Sequence, residues 1–159
     1  MTHKPIIGIL GKNIEIFRSD EAGEFQWESS SYGVFTISSY IQWYKETVYG
    51  DLNFSSNEYA FEGIEIILEP LENPCSIKGT VTDTEGNPVY RQSVSLSSHS
   101  HNLSYSVLLA EDGSYSFNGI PAGKYTVLAG GFDYTKASSN VTLSQGEDVT
   151  VNFILEKKP

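Results

Sequence analysis

The stretch from Glu111 to Val127, Glu-Asp-Gly-Ser-Tyr-Ser-Phe-Asn-Gly-Ile-Pro-Ala-Gly-Lys-Tyr-Thr-Val, leaves a chain few ways to fold. Asp112-Gly113 sits between segments of alternating polarity, and glycine there supplies the positive φ of a tight hairpin. Tyr115 and Phe117 then share one face of a strand, and Tyr125 and Val127 one face of the next. Between them, Ile120-Pro121-Ala122-Gly123 forms a second turn, with φ preset by Pro121 and crowding relieved at Gly123. Such a unit argues for an antiparallel sandwich and against a catalyst.

The rest of the chain agrees. No window repeats apolar residues at helical spacing over three turns, and the abundance of Gly, Tyr, Ser and Thr over Ala, Leu and Met favours strands. At 159 residues the chain has room for one medium domain or two small sandwiches.

An earlier echo decides between them. Gly23, Phe25, Trp27, Gly33, Phe35, Ile37 and Tyr44 precede Gly113, Tyr115, Phe117, Gly123, Tyr125, Val127 and Tyr134, each by 90 positions. Ile64, Ile66 and Leu68 answer Val151, Phe153 and Leu155 with an offset of 87. A constant long offset with matched core types reads as two tandem copies of one sandwich. The copies span residues 1–70 and 75–159, joined by a stiff linker at 71–74 that Pro70 and Pro74 bracket.

The second copy is complete in strands. Ser76-Ile77-Lys78-Gly79-Thr80-Val81-Thr82-Asp83 reads as its first, Val94 and Leu96 mark the next, and one strand runs from Val149 to Leu155. Ile77 to Asp83, then Gly86-Asn87-Pro88-Val89, Asp112 to Phe117 and Ile120 to Tyr125 resemble the carboxypeptidase regulatory-like domain. That resemblance covers about residues 75–156 and places the chain with transthyretin-like and starch-binding-like sandwiches. It implies an all-β, immunoglobulin-like (transthyretin-type) antiparallel sandwich for the second copy, which the repeat extends to two tandem sandwiches. It also implies an accessory role of the kind such modules play in surface proteins, transporters, secreted hydrolases and virus particles.

The first copy departs from this pattern. Ile14 and Ile16 fill the strand before the Gly23 turn, and Pro5 to Leu10 fill the one before that. Nothing is left for the family's first strand. A sandwich short of an edge strand leaves backbone groups and apolar core unshielded: either it is a trimmed sandwich or a piece cut from a longer protein, or a partner strand completes it by β-augmentation. The partner-strand edge is expected at Ile6, Ile7 and Ile9.

Motifs of catalysis are missing: there is no Gly-x-Ser-x-Gly, HExxH, phosphate loop or Cys/His cluster. No enzyme, cofactor or metal site is expected. His99 and His101 share one side of an extended segment, but no third ligand lies close in sequence, so solvated histidines are the expectation. The carboxylates of Asp20, Asp112 and Asp148 fall in or beside turns, where Asp caps the local backbone. The related collagen-adhesin repeats form a Lys–Asn crosslink. Lys78 and Asn152 are placed for one here, but Ala129 stands where the acidic catalyst is expected, so the crosslink is rejected. Cys75 precludes an intrachain disulfide and is expected as a small buried filler.

The best candidate surface is aromatic. Tyr40, Trp43, Tyr44, Tyr49, Tyr59 and Phe61 crowd residues 40–61, and such rings stack on sugars or anchor protein partners. Alternation from Phe35 and Ile37 turns Ile41 and Trp43 inward and Tyr40 outward. Tyr40, Trp43, Tyr49 and Tyr59 are the candidate binding residues. The net charge of −10, from 10 basic and 20 acidic residues, disfavours nucleic acid as a partner. Without an apolar run of spanning length, membrane insertion is not expected. The expected role is a non-catalytic adhesive or assembly module, extracellular, at a cell surface or in a virion, with a protein partner or self-assembly. A carbohydrate-binding accessory module is the alternative.

Overall fold

The computed structural model describes residues 6–10, 15–28, 32–39, 41–54, 63–99 and 104–159, and all regular structure among them is β. The chain divides into two compact units, Met1–Pro70 and Leu71–Pro159.

In the first unit, β1 (Ile6–Leu10), β2 (Glu15–Arg18), β3 (Gly33–Ser39) and β4 (Thr47–Phe54) form an antiparallel sheet in the order β2-β1-β3-β4. Strand β1 is therefore interior. Ile7 pairs with Phe17 on one side and Ser39 on the other, and Ile9 with Glu15 and Ile37. The expected partner-strand edge at Ile6, Ile7 and Ile9 is corrected by this register, because both flanks of β1 are already occupied. Buried Phe35, Ile37 and Leu52 form the unit's core, with Phe25, Trp27, Phe54, Ile64 and Ile66 packed against them. Three of these rings meet edge to face: Trp27 lies 5.1 Å from Phe35 and 5.4 Å from Phe54, and Phe35 lies 5.2 Å from Phe54. Each such contact contributes about 0.5–1.5 kcal/mol beyond area burial.

The second unit is a sandwich of two sheets. One runs β10 (Ala137–Leu143), β9 (Gly123–Ala129), β6 (Ser93–Ser98), β7 (Ser104–Leu108). The other is built on β5 (Cys75–Asp83), antiparallel to β8 (Ser114–Ile120) on one edge. Along its other edge β5 runs parallel to β11 (Asp148–Thr150) and then β12 (Phe153–Leu155). The single closing strand expected from Val149 to Leu155 is thus two strands. At the break, Asn152 Oδ1 accepts the Thr80 amide at 3.0 Å, so the side chain replaces a ladder bond. Alternation along β5, β6, β8 and β9 buries Ile77, Val81, Val94, Leu96, Phe117 and Val127 to 1% exposure or less.

Turn chemistry sets the hairpins. Asp112 Oδ1 accepts the Ser114 amide at 2.9 Å, and the Gly113 amide donates to the Ala110 carbonyl at 2.9 Å with φ at 75°. The Tyr125 hydroxyl donates to the Pro121 carbonyl at 2.7 Å and ties the second turn to β9.

Details recur between the units. Tyr44 bridges Pro70 as Tyr134 bridges Lys157. The Lys45 amide donates to Glu69 as the Thr135 amide does to Glu156, both at 2.8 Å. The Asp20–Glu24 backbone bond repeats at Ala110–Ser114. The sheet order β4-β3-β1-β2 follows the path of β10-β9-β6-β7.

Candidate functional site

Among the described residues, the units differ where β5 lies. In the second, β5 fills the space between β8 and the β11–β12 edge. The segments at the same offsets in the first unit are 24–28 and 63–69, and both lie outside its strands. They border one groove of about 460 Å³, whose lining includes Gly23, Phe25, Ile64, Glu65, Ile66 and Leu68. No hydrogen bond joins Ile64, Glu65 or Ile66 to another described residue. Such backbone groups take their partners from water, from residues outside those described or from another chain.

Ser19 and Ser39 also border the groove. Both are buried, at 3% and 1% exposure, and their hydroxyls have no hydrogen-bond partner among the described residues. A buried, unmet hydroxyl costs about 1–3 kcal/mol. Ninety positions on, the second unit has apolar Leu109 and Ala129.

The exposed face of the segments is acidic. Glu24, Gln26 and Glu28 alternate outward from half-buried Phe25 and Trp27, and Glu65, Ile67 and Glu69 from Ile64, Ile66 and Leu68. Glu69 is bridged to Lys45 at 2.9 Å. The corresponding positions beside β5 are mostly neutral: Ser114, Ser116, Asn118, Asn152, Ile154 and Glu156.

Of the aromatic candidates, Tyr40 and Tyr59 lie outside the described residues. Trp43 is corrected: it is 46% exposed, with φ at 74°. Alternation fails because β3 ends at Ser39 and residues 41–44 form a turn, closed by the Tyr44 amide donating to Ile41 at 3.2 Å. Tyr49 is exposed on β4, an edge strand of the first unit's sheet. Trp43 and Tyr49 are thus both accessible, and neither borders the groove.

The remaining candidates have structural partners. His99 Nε2 shares a hydrogen bond of 2.7 Å with Thr126 Oγ1, while His101 lies outside the described residues. Asn152 is committed to Thr80. Buried Cys75 donates its thiol to the Ser144 carbonyl. Burial pushes the Tyr115 hydroxyl, which donates to the Val151 carbonyl at 2.7 Å, up to about 12. The Tyr125 hydroxyl is raised further, by burial first and then by Cys75 and Tyr105. Among the described residues no group of three His, Cys, Asp or Glu could hold a metal ion, and no helix is long and apolar enough to cross a membrane.

Residues 76–156 match the carboxypeptidase regulatory-like domain. No curated protein matches. Among solved structures, the TIE protein of Bacillus anthracis is similar at 14% identity and TM-score 0.46, over 97% of this chain and 31% of that one. Catechol 1,2-dioxygenase from Acinetobacter sp. ADP1 is similar at 11% identity and TM-score 0.45, over 57% and 54%. GBS52, the minor pilin of Streptococcus agalactiae, is similar at 9% identity and TM-score 0.48, over 99% and 84%. The chain thus spans about a third to a half of the first two.

Proposed function

We propose, for a chain that belongs to the carboxypeptidase regulatory-like domain family through residues 76–156, a non-catalytic role in assembly. In this reading the chain is two copies of one sandwich, and the first copy lacks the strand that β5 supplies in the second. A strand from a partner completes it by β-augmentation, which turns an exposed liability into a specific joint between chains. The setting is extracellular, at a cell surface or in a virion, where modules of this kind hold and touch other proteins.

One observation carries the reading: segments 24–28 and 63–69 border a groove at the place where the second unit has β5. Amide exchange read by mass spectrometry tests it. Residues 64–66 should exchange much faster than residues 76–82 and 114–118 in a protein that light scattering shows to be monomeric. Slow exchange at 64–66 in that monomer would overturn the reading.

A second reading, carbohydrate binding, rests on Trp43, whose half-exposed ring in a turn suits stacking on a sugar face. Saccharide titration that quenches tryptophan emission in the wild type and not in Trp43→Phe would support it. A blank glycan array would remove it.

A further inference from the structure

A second concavity, a cleft of about 660 Å³, opens on the second unit over β5 and its neighbours. Register sets its polar side chains in rows. Lys78 pairs with Ser116 on one side and Thr150 on the other, so the three stand side by side at the strand spacing of about 4.8 Å. Thr80 and Asn152 lie one step further along, joined by the Thr80 amide and hydroxyl, which donate to Asn152 Oδ1 at 3.0 and 3.2 Å. All five side chains are exposed, and exposed Leu108 borders the cleft with them.

Hydrogen-bond accounting gives the cleft one polarity. A backbone amide only donates, so the Asn152 atom facing Thr80 is Oδ1, and Nδ2 is left with no partner among the described residues. Ser116 Oγ accepts from Asn118 Nδ2 at 3.1 Å, which leaves its own proton to give. Lys78 Nζ and the Thr150 hydroxyl have no partner among the described residues either. What is left over is a set of donors around one cation, and no carboxylate borders the cleft. Asp148, the acid next along β11, is bonded to the Ser76 hydroxyl. In a chain of net charge −10 this is a local reversal, and it suits an anion.

The same accounting separates a sugar from a peptide. A peptide brings amide protons that need acceptors, and the cleft's side-chain amide oxygen is already taken. A sugar's hydroxyls accept from the donors and turn their own protons to water, while its C–H face covers Leu108. We infer that the cleft binds an acidic saccharide. The carboxylate of a uronic acid lies on Lys78, Ser116 and Thr150, a ring hydroxyl accepts from Asn152 Nδ2, and the apolar face of the ring rests on Leu108. This site is apart from Trp43 and makes no use of the first unit's groove.

The test titrates the full chain by calorimetry with oligomers of galacturonic and of mannuronic acid, with their methyl esters, with sodium acetate and with the peptide Gly-Glu-Gly-Glu-Gly. At least one acid oligomer should bind, at least about tenfold tighter than its ester and with an affinity that falls as salt rises. Lys78→Gln should lose at least about tenfold and Leu108→Ser about threefold or more, at exposed sites where circular dichroism should show the fold unchanged. Trp43→Phe should bind as the wild type does. No binding of either oligomer overturns the inference, as do an ester that binds equally and a Lys78→Gln variant that binds like the wild type. Acetate that matches the oligomer leaves only a bare anion site, and a matching peptide makes the partner a protein; both overturn the sugar. Loss of binding in Trp43→Phe alone moves the sugar to that turn and overturns this site, while the carbohydrate reading above survives.

Discussion

At the scale of single residues, Gly79 is the most constrained position described. The close approach of the Val151 carbonyl leaves no room for a methyl group, so Gly79→Ala must push β5 away from β11 and β12. The expected loss is about 3–5 kcal/mol, read as a fall in midpoint by urea titration followed with near-ultraviolet circular dichroism. Ser39 makes the opposite case: removing its buried, unmet hydroxyl as Ser39→Ala should leave the free protein equally stable or raise it by about 1 kcal/mol. Alkali exposes a third effect. Because folding raises the Tyr115 hydroxyl from 10.0 to about 12, its contribution is whole below pH 10 and disappears as pH climbs through 12. Phenolate absorbance near 295 nm should therefore rise for Tyr115 only as sheet signal is lost, and Tyr115→Phe should flatten the dependence. Of these positions only Tyr115 stands out in the bare sequence. Gly79 looks there like any strand glycine, and only the register against Val151 reveals its role.

Among elements, the strands were largely legible, and the exceptions share one cause. Asp112-Gly113 and the Pro121 turn announce β8 and β9 because turn chemistry is local. The 90-residue echo carries the same reading back to β3. Local pattern could not show that β1 is interior, since which edge a strand occupies depends on partners far away in sequence. Nor could it show that the closing strand breaks, because the break is held by Asn152 reaching the Thr80 amide across 72 positions. That bond yields a prediction: Asn152→Ala should cost about 1 kcal/mol, measured by thermal unfolding, with the sheet otherwise intact. Trp43 was misjudged for a related reason, in that alternation was extended past Ser39 into a turn. The groove itself was legible only as an arithmetic shortage of strands, and its position had to come from the fold.

For the molecule as a whole, the described residues of the two units hold unequal cores. The second buries seventeen residues in one apolar cluster, and the first buries three among those described. Apolar burial dominates stability, so calorimetry should resolve two transitions, the lower belonging to residues 1–70. A fragment of residues 71–159 should keep the upper one unchanged; a single shared transition abolished by the cut would refute independent folding. Cys75 gives the same division a chemical clock. The chain's single sulfhydryl is sealed inside the larger core, so a thiol-reactive dye stays colourless however often the smaller unit opens. Its colour, when it comes, times the larger unit alone.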